Sequence, residues 1–264
     1  MIDDPSSSNP KHLILQALGL WGMFIIVNVI INGTIPFTLG SDMCSWVYSR
    51  THIFLAGLIV YGVIFLTVPL ILIKGWQTVR QPAFLIPLLI AIIAISLFDV
   101  FRGIAAISVF ILAYLHKRFD LSECGIRSRG WKGDTAAVLL LAFLGVAPSL
   151  LRQPLSLSDP GQAVIVLLDR MFANPASTIE NLFYFGFLTE RLSYGTGKWF
   201  TPILMGLMYT VHEMTNPEYW YEGMQFTLVF VTVTVVAYVY IWRRSVIVIW
   251  LGDGLARFVR TLLG

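Results

Sequence analysis

Charge is scarce in this sequence. Asp, Glu, Lys and Arg make up 12% of its 264 residues, while 57% are hydrophobic. A soluble domain carries about 25% charged residues, so this chain has too little charge to cover a solvated surface. That excludes a separate soluble domain and leaves aqueous loops a minor part of the molecule. The net charge of +3 is too small to direct the chain to nucleic acid. Cysteine is nearly absent. Cys44 and Cys124 stand alone, outside any Cys-x-x-Cys or Cys/His cluster, so no structural zinc is signalled. There is no Walker loop, no Gly-x-Gly-x-x-Gly after a strand and no low-complexity run. No internal repeat or Gly/Pro-broken helix pair of the kind transporters carry is visible. The alternating pattern of a membrane barrel is missing too.

What is there is a series of long apolar runs. A helix crosses a hydrocarbon core of ~30 Å with about 20 apolar residues. Residues 13–31 and 53–73 meet that length without a charge. Residues 83–98 and 103–115 are shorter and flank Asp99 and Arg102, as two short spans in a hairpin or one long kinked helix. Residues 136–151, 178–192, 199–211, 223–242 and 246–263 follow. Only helices and closed barrels can span, so the expectation is an all-α polytopic transmembrane bundle of about eight or nine spans. Residues 1–12 form a polar leader rich in Ser, Asp and Pro. The run behind it is too long for a signal-peptide core and lacks a small-x-small cleavage site, so it is read as a retained span. A Pro/Ser/Asp loop covers 153–163. The stretch 164–173, with Asp169 and Arg170, is too short to span and reads as an interfacial helix.

Basic residues set the orientation. The loop 116–133 carries Lys117, Arg118, Arg127, Arg129 and Lys132 and is placed in the cytoplasm by the positive-inside rule. Counting forward, Arg191, Lys198, Arg243 and Arg244 also fall inside, and the loop 213–222, without Lys or Arg, falls outside. Nine spans bring Lys11, Lys74 and Arg80 inside as well and are preferred. On that model Cys44 and Cys124 lie on opposite faces and form no disulfide, which needs Cα atoms within about 7 Å. Residues 217–221, with Glu218, Tyr219, Trp220 and Tyr221, read as an interfacial aromatic belt or as a lid.

Most spans hold no ionisable group, and three do. Residues 178–192 contain Glu180, the 199 span ends at His212 and Glu213, and the last span carries Asp253 and Arg257. An ionised side chain at the bilayer centre costs at least ~2.5–3.5 kcal/mol, so such groups face a polar cavity or each other. Plainer roles stand beside a shared site. Glu180 could pair with an Arg, His212 could cap a helix end and face water, and Asp253 with Arg257 could form a packed ion pair one helical turn apart. Asp99 and Arg102 are most simply a solvated turn.

The stretch Ile179-Glu180-Asn181-Leu182-Phe183-Tyr184-Phe185-Gly186 resembles the first motif of the CPBP family of intramembrane proteases (CAAX processing and bacteriocin processing, also called Abi), which reads Glu-Glu-x-x-x-Arg followed by Gly. Met208-Tyr209-Thr210-Val211-His212 resembles the second motif, Phe-x-x-x-His. Asp253-Gly254-Leu255-Ala256-Arg257 stands in the place of the third, His-x-x-x-Asn. Gly125-Ile126-Arg127-Ser128-Arg129-Gly130-Trp131 resembles the basic linker before the family's core. The likeness covers roughly residues 125–264. It divides the chain after the leader into N-terminal helices with a basic cytoplasmic linker, 13–133, and a CPBP-like core, 134–264.

The resemblance implies an intramembrane endopeptidase in a prokaryotic plasma membrane. Glu180 and His212 would activate a water, with Asn181, Asp253 and Arg257 as supporting or oxyanion groups. The departures are Asn181 for the second Glu, Phe185 for Arg, Met208 for Phe, and Asp253 with Arg257 for the third pair. An ionised Asp253 only accepts hydrogen bonds, which leaves Arg257 as the donor for developing charge. Arg257 is therefore expected to face the same cavity as Glu180 and to neutralise Asp253 or Glu180. The partners implied are lipids and a peptide or membrane-protein substrate within the bilayer. No cofactor is signalled, although the residue types leave open a metal ion at Glu180 and His212. A catalytically inactive adaptor that binds a partner's transmembrane segment is the alternative. The charge count puts the Glu180 and His212 ends of their helices on the outer face. That favours exported peptides or an envelope partner over prenylated tails, which need a cytosolic site.

Overall fold

A computed structural model describes residues 9–39, 54–97, 108–109, 122, 125–150, 159–169, 179–215 and 223–263. Among these the chain is helical, with no strand. The elements are α1 (Pro10–Leu39), π1 (Ala56–Thr67), α2 (Val68–Lys74), α3 (Trp76–Val79), α4 (Pro82–Leu97), α5 (Trp131–Leu150), α6 (Pro160–Leu168), π2 (Leu182–Thr189), α7 (Glu190–Met214), α8 (Gly223–Arg243) and α9 (Val246–Leu262). Among the described residues three helical stretches are long and apolar enough to cross a membrane: Pro10–Ile31, Ala56–Lys74 and Phe226–Arg243. Pro82–Leu97 is apolar and shorter. Where a loop to 163 and a short helix over 164–173 were expected, helix α6 already starts at the Asp159 N-cap, whose side chain accepts from the Gly161 N–H at 2.9 Å; residues 170–173 lie outside the described residues. Asp99, Arg102, Cys44, Cys124, Arg170 and residues 217–221 lie outside the described residues.

Small residues set the closest helix contacts, as expected where apolar surroundings give helices little hydrophobic reason to associate. The broadest packing joins α7 to α8 and α5 to α9, and α1 lies along α7. At Gly206 a Cβ would meet Thr234 Oγ1 and the Phe230 carbonyl of α8. At Gly57 a Cβ would come within 2.7 Å of the Ile95 carbonyl on α4. The core behind these contacts is aromatic: Phe24, Phe65, Phe183, Tyr184 and Phe187 are all buried, and the Phe65 and Phe183 rings stack at 4.1 Å.

Two features bend the helices around the site. Gly197 takes φ 78° within α7, a left-handed conformation that glycine adopts without steric penalty. There the chain doubles back, so that Glu180 and Tyr209, 29 positions apart, are in hydrogen-bond contact. Hydroxyls serve the backbone at this turn. Thr196 donates to the Leu192 carbonyl at 3.0 Å and Thr201 to the Gly197 carbonyl at 2.7 Å, which keeps freed carbonyls satisfied away from water. The second feature is the pair of π-helical stretches, wider than an α-helix and rare at this length. Each ends on a threonine that reaches back five residues, Thr67 to the Gly62 carbonyl at 2.7 Å and Thr189 to the Tyr184 carbonyl at 2.8 Å.

Candidate functional site

Glu180 lies two residues before π2 and is 7% exposed. Each carboxylate oxygen has its own donor. The Tyr61 hydroxyl, from π1, donates to Oε1 at 3.1 Å, and the Tyr209 hydroxyl, from α7, donates to Oε2 at 3.3 Å. Tyr209 stands three positions before His212, so both project from one face of the last turns of α7. The His212 ring lies 5.3 Å from the Tyr209 ring, stacks on Tyr184 at 5.8 Å, and meets Phe24 of α1 edge-on at 4.8 Å. Tyr184, one turn after Glu180, completes the ring of side chains, 4.7 Å from Tyr209. Glu180 and His212 therefore share two neighbours, Tyr209 and, through the helix turn, Tyr184.

Two polar atoms in this cluster, His212 Nδ1 and the Tyr184 hydroxyl, are buried without a hydrogen-bond partner. Most buried polar atoms in native proteins are paired with protein or ordered water, so a pair of orphans beside a buried carboxylate marks a place where a small polar group fits. Glu213 follows His212 at the end of α7 and is partly exposed. Among the described residues no group of three or more His, Cys, Asp or Glu side chains is arranged to hold a metal ion. Asn181 follows Glu180 on the helix and is partly exposed.

The third-motif residues lie on α9. Arg257 Nε is 3.9 Å from Asp253 Oδ1, one turn apart on α9, with the side chains 45% and 32% exposed. Asp253 lines an apolar cleft of about 440 Å³ whose walls include Leu141, Leu144, Leu228, Val231 and Ile249 from α5, α8 and α9. The structure thus brings the first two motifs together and lets Asp253 line this cleft.

Glu190, at the start of α7, is a hub. Glu190 accepts from Arg127 Nη2 at 3.0 Å, Arg244 Nη1 at 2.7 Å and the Tyr240 hydroxyl at 3.1 Å. Arg244 also donates to Ser193 at 2.9 Å and has a left-handed backbone, φ 52°, held by these contacts. Nearby, Arg243 pairs with Asp134 at 2.8 Å. Tyr61, Tyr184 and Tyr209 were not singled out from the sequence. The available signal was a phenol inside an apolar helix, since a buried Tyr hydroxyl looks for a partner.

No known family model, curated protein or solved structure matches this chain. The helical architecture and the three membrane-length helices define it as a membrane protein.

Proposed function

We propose that the chain is a multi-pass intramembrane endopeptidase of the CPBP type, with eight or nine spans, in a prokaryotic plasma membrane. The observation that carries this reading is the convergence of buried Glu180 and half-buried His212 on Tyr184 and Tyr209, beside the orphaned His212 Nδ1 and Tyr184 hydroxyl. Glu180 is the general base. It takes a proton from a water whose oxygen bonds to the scissile carbonyl carbon, and that proton passes to the leaving nitrogen as the C–N bond breaks. His212 holds the water through Nδ1. Tyr184, a neutral donor inside the cluster, stabilises the developing oxyanion and takes over the part that the motif order would have given to Asp253 and Arg257. The substrate is a peptide or membrane-protein segment within the bilayer.

A catalytically inactive adaptor is the second reading. The apolar cleft at Asp253 favours it, because a groove of that kind can take a partner's transmembrane helix without any chemistry. Glu180→Ala separates the two. Purified wild-type protein and Glu180→Ala, both reconstituted in lipid, are compared on a peptide library. A protease loses cleavage by at least about a hundredfold, the scale of one general-base contribution, and keeps its thermal stability. No cleavage by the wild type, or equal cleavage by both proteins, overturns the enzymatic reading.

A further inference from the structure

We infer that Tyr61 is a positioning residue for Glu180, so that the site is completed by the N-terminal half of the chain, outside the stretch that resembles the CPBP family. Tyr61 and Tyr209 come from different helices and hold one oxygen each of the same carboxylate. Donors on both oxygens fix the plane of the carboxylate, which a single donor leaves free to rotate.

The support behind Tyr61 is rigid. Its ring meets Phe65 edge-on at 5.6 Å, and Phe65 in turn stacks on Phe183 of π2. The next residue, Gly62, lies against Ile92 of α4, where an added Cβ would come within 3.1 Å. Thr67 closes the π turn onto the Gly62 carbonyl. The hydroxyl of Tyr61 is thereby delivered to Glu180 by a stack and a backbone that cannot slide independently, the condition for holding a functional group in place. Hydrogen bonds donated to a carboxylate favour its charged form, the form that accepts a proton.

The inference rests on the proposed role of Glu180 for its catalytic meaning, and the geometry of the clamp does not. The test therefore reads the carboxylate directly. Dicyclohexylcarbodiimide enters membranes and adds the O–H of a protonated carboxylic acid across its C=N bond, giving an acylisourea that rearranges to a stable acylurea. Modification of Glu180 is followed by peptide mass spectrometry across a pH series, in the lipid-reconstituted wild type, Tyr61→Phe and Tyr209→Phe. Loss of one donor is expected to speed labelling at a given pH by about tenfold, the scale of a hydrogen bond to a charged group. A 3-fluorotyrosine at position 61, nearly isosteric and a stronger donor, is expected to slow it, and keeps the test open should Tyr61→Phe fold poorly. Where cleavage is measurable, Tyr61→Phe lowers kcat and leaves KM unchanged. Labelling that is equal or absent in the wild type and the variants overturns the inference. If the donors control labelling while Glu180→Ala cleaves as the wild type does, the clamp stands and the protease reading falls. If labelling is insensitive while Glu180→Ala abolishes cleavage, the protease reading stands without the clamp.

Discussion

Glu180 and Glu190 lie ten positions apart on one helical hairpin, and their partners assign them different work. Glu190 is held by two guanidinium groups and a phenol, which fixes it as a charged anchor between the linker, α7 and the α8–α9 turn. Glu180 accepts from two hydroxyls, Tyr61 and Tyr209, and under the proposed function it is the group that exchanges a proton. The same logic applies to Asp134, which lies at the start of α5 near the basic end. Its burial acts to raise its pKa, but hydrogen bonds from Ser128 and Arg243 and the charge of Arg243 outweigh that, and the carboxyl stays below its usual value of 3.8. A depressed folded-state pKa means that the stabilisation is complete above the unfolded value and disappears as pH falls through the folded one. The stability difference between the wild type and Asp134→Asn, from thermal unfolding in detergent, should therefore be constant from neutral pH to about 5 and shrink below about 4. A difference that instead grows on acidification would mean that Arg243 is not its controlling partner.

Most helices were legible at the level of elements because apolar length is a one-dimensional property. The runs 223–242 and 246–263 became α8 and α9 with ends shifted by a residue at most, since Ser245 and the left-handed Arg244 interrupt the helix between them. α1 runs past the predicted 31 to Leu39 because Asn32, Gly33 and Thr34 do not stop a helix that is already nucleated. The two π stretches were not legible: they meet at Phe65 and Phe183, a contact between segments more than a hundred positions apart that no local pattern reports. The site divided the same way. Glu180 and His212 stood out as ionisable groups in apolar runs, whereas Tyr61 gains its meaning only from the fold, and Asp253 resembled a motif position that the fold puts beside another cleft. Gly206 is the element-scale test. It precedes the second motif, and its missing Cβ is what allows α8 to approach α7. Gly206→Val should destabilise the hairpin by about 1–3 kcal/mol, the usual cost of overpacking, while Gly19→Ala, where nothing lies within 4 Å, should be silent. Equal unfolding midpoints for the wild type and Gly206→Val would show that α7 and α8 are not closely packed in the membrane.

Among the described residues most cations gather at one end, and contacts between distant segments define it. Arg191 donates to Gln16 of α1 and to the Leu72 carbonyl of α2, Gly195 packs on Pro10 and Ile14, and the Tyr238 hydroxyl bonds the Trp199 carbonyl. Lys11, Lys74, Arg80, Arg127, Arg129, Lys132, Lys198, Arg243 and Arg244 therefore gather at the same end, while α9 carries only Arg257 and Arg260 toward the other. Exposed tryptophans mark the level. Trp131, Trp199 and Trp242 each stand at a helix end or break with a cation over the ring, Lys132 at 5.7 Å, Lys198 at 5.7 Å and Arg243 at 5.3 Å, and Trp76 follows Lys74. That pairing suits a headgroup layer, where rings and cations both find partners, and the positive-inside rule predicts the cytoplasmic one. Glu180, ten positions from Glu190 across π2, then lies deeper along the helix, toward the middle of a ~30 Å core. The opposite end is where Asn28 bonds Thr215 at 2.6 Å, with Met214 exposed beside it. Single cysteines at Lys198 and Met214, in a chain with Cys44 and Cys124 changed to Ser, test this orientation in intact cells and in inverted vesicles with a membrane-impermeant maleimide. Lys198→Cys should label only in inverted vesicles and Met214→Cys only in intact cells. That result opens the His212 end toward exported peptides. The reverse pattern would put the tryptophan level outside and the His212 end in the cytosol, and would move the expected substrates to lipid-modified cytosolic tails.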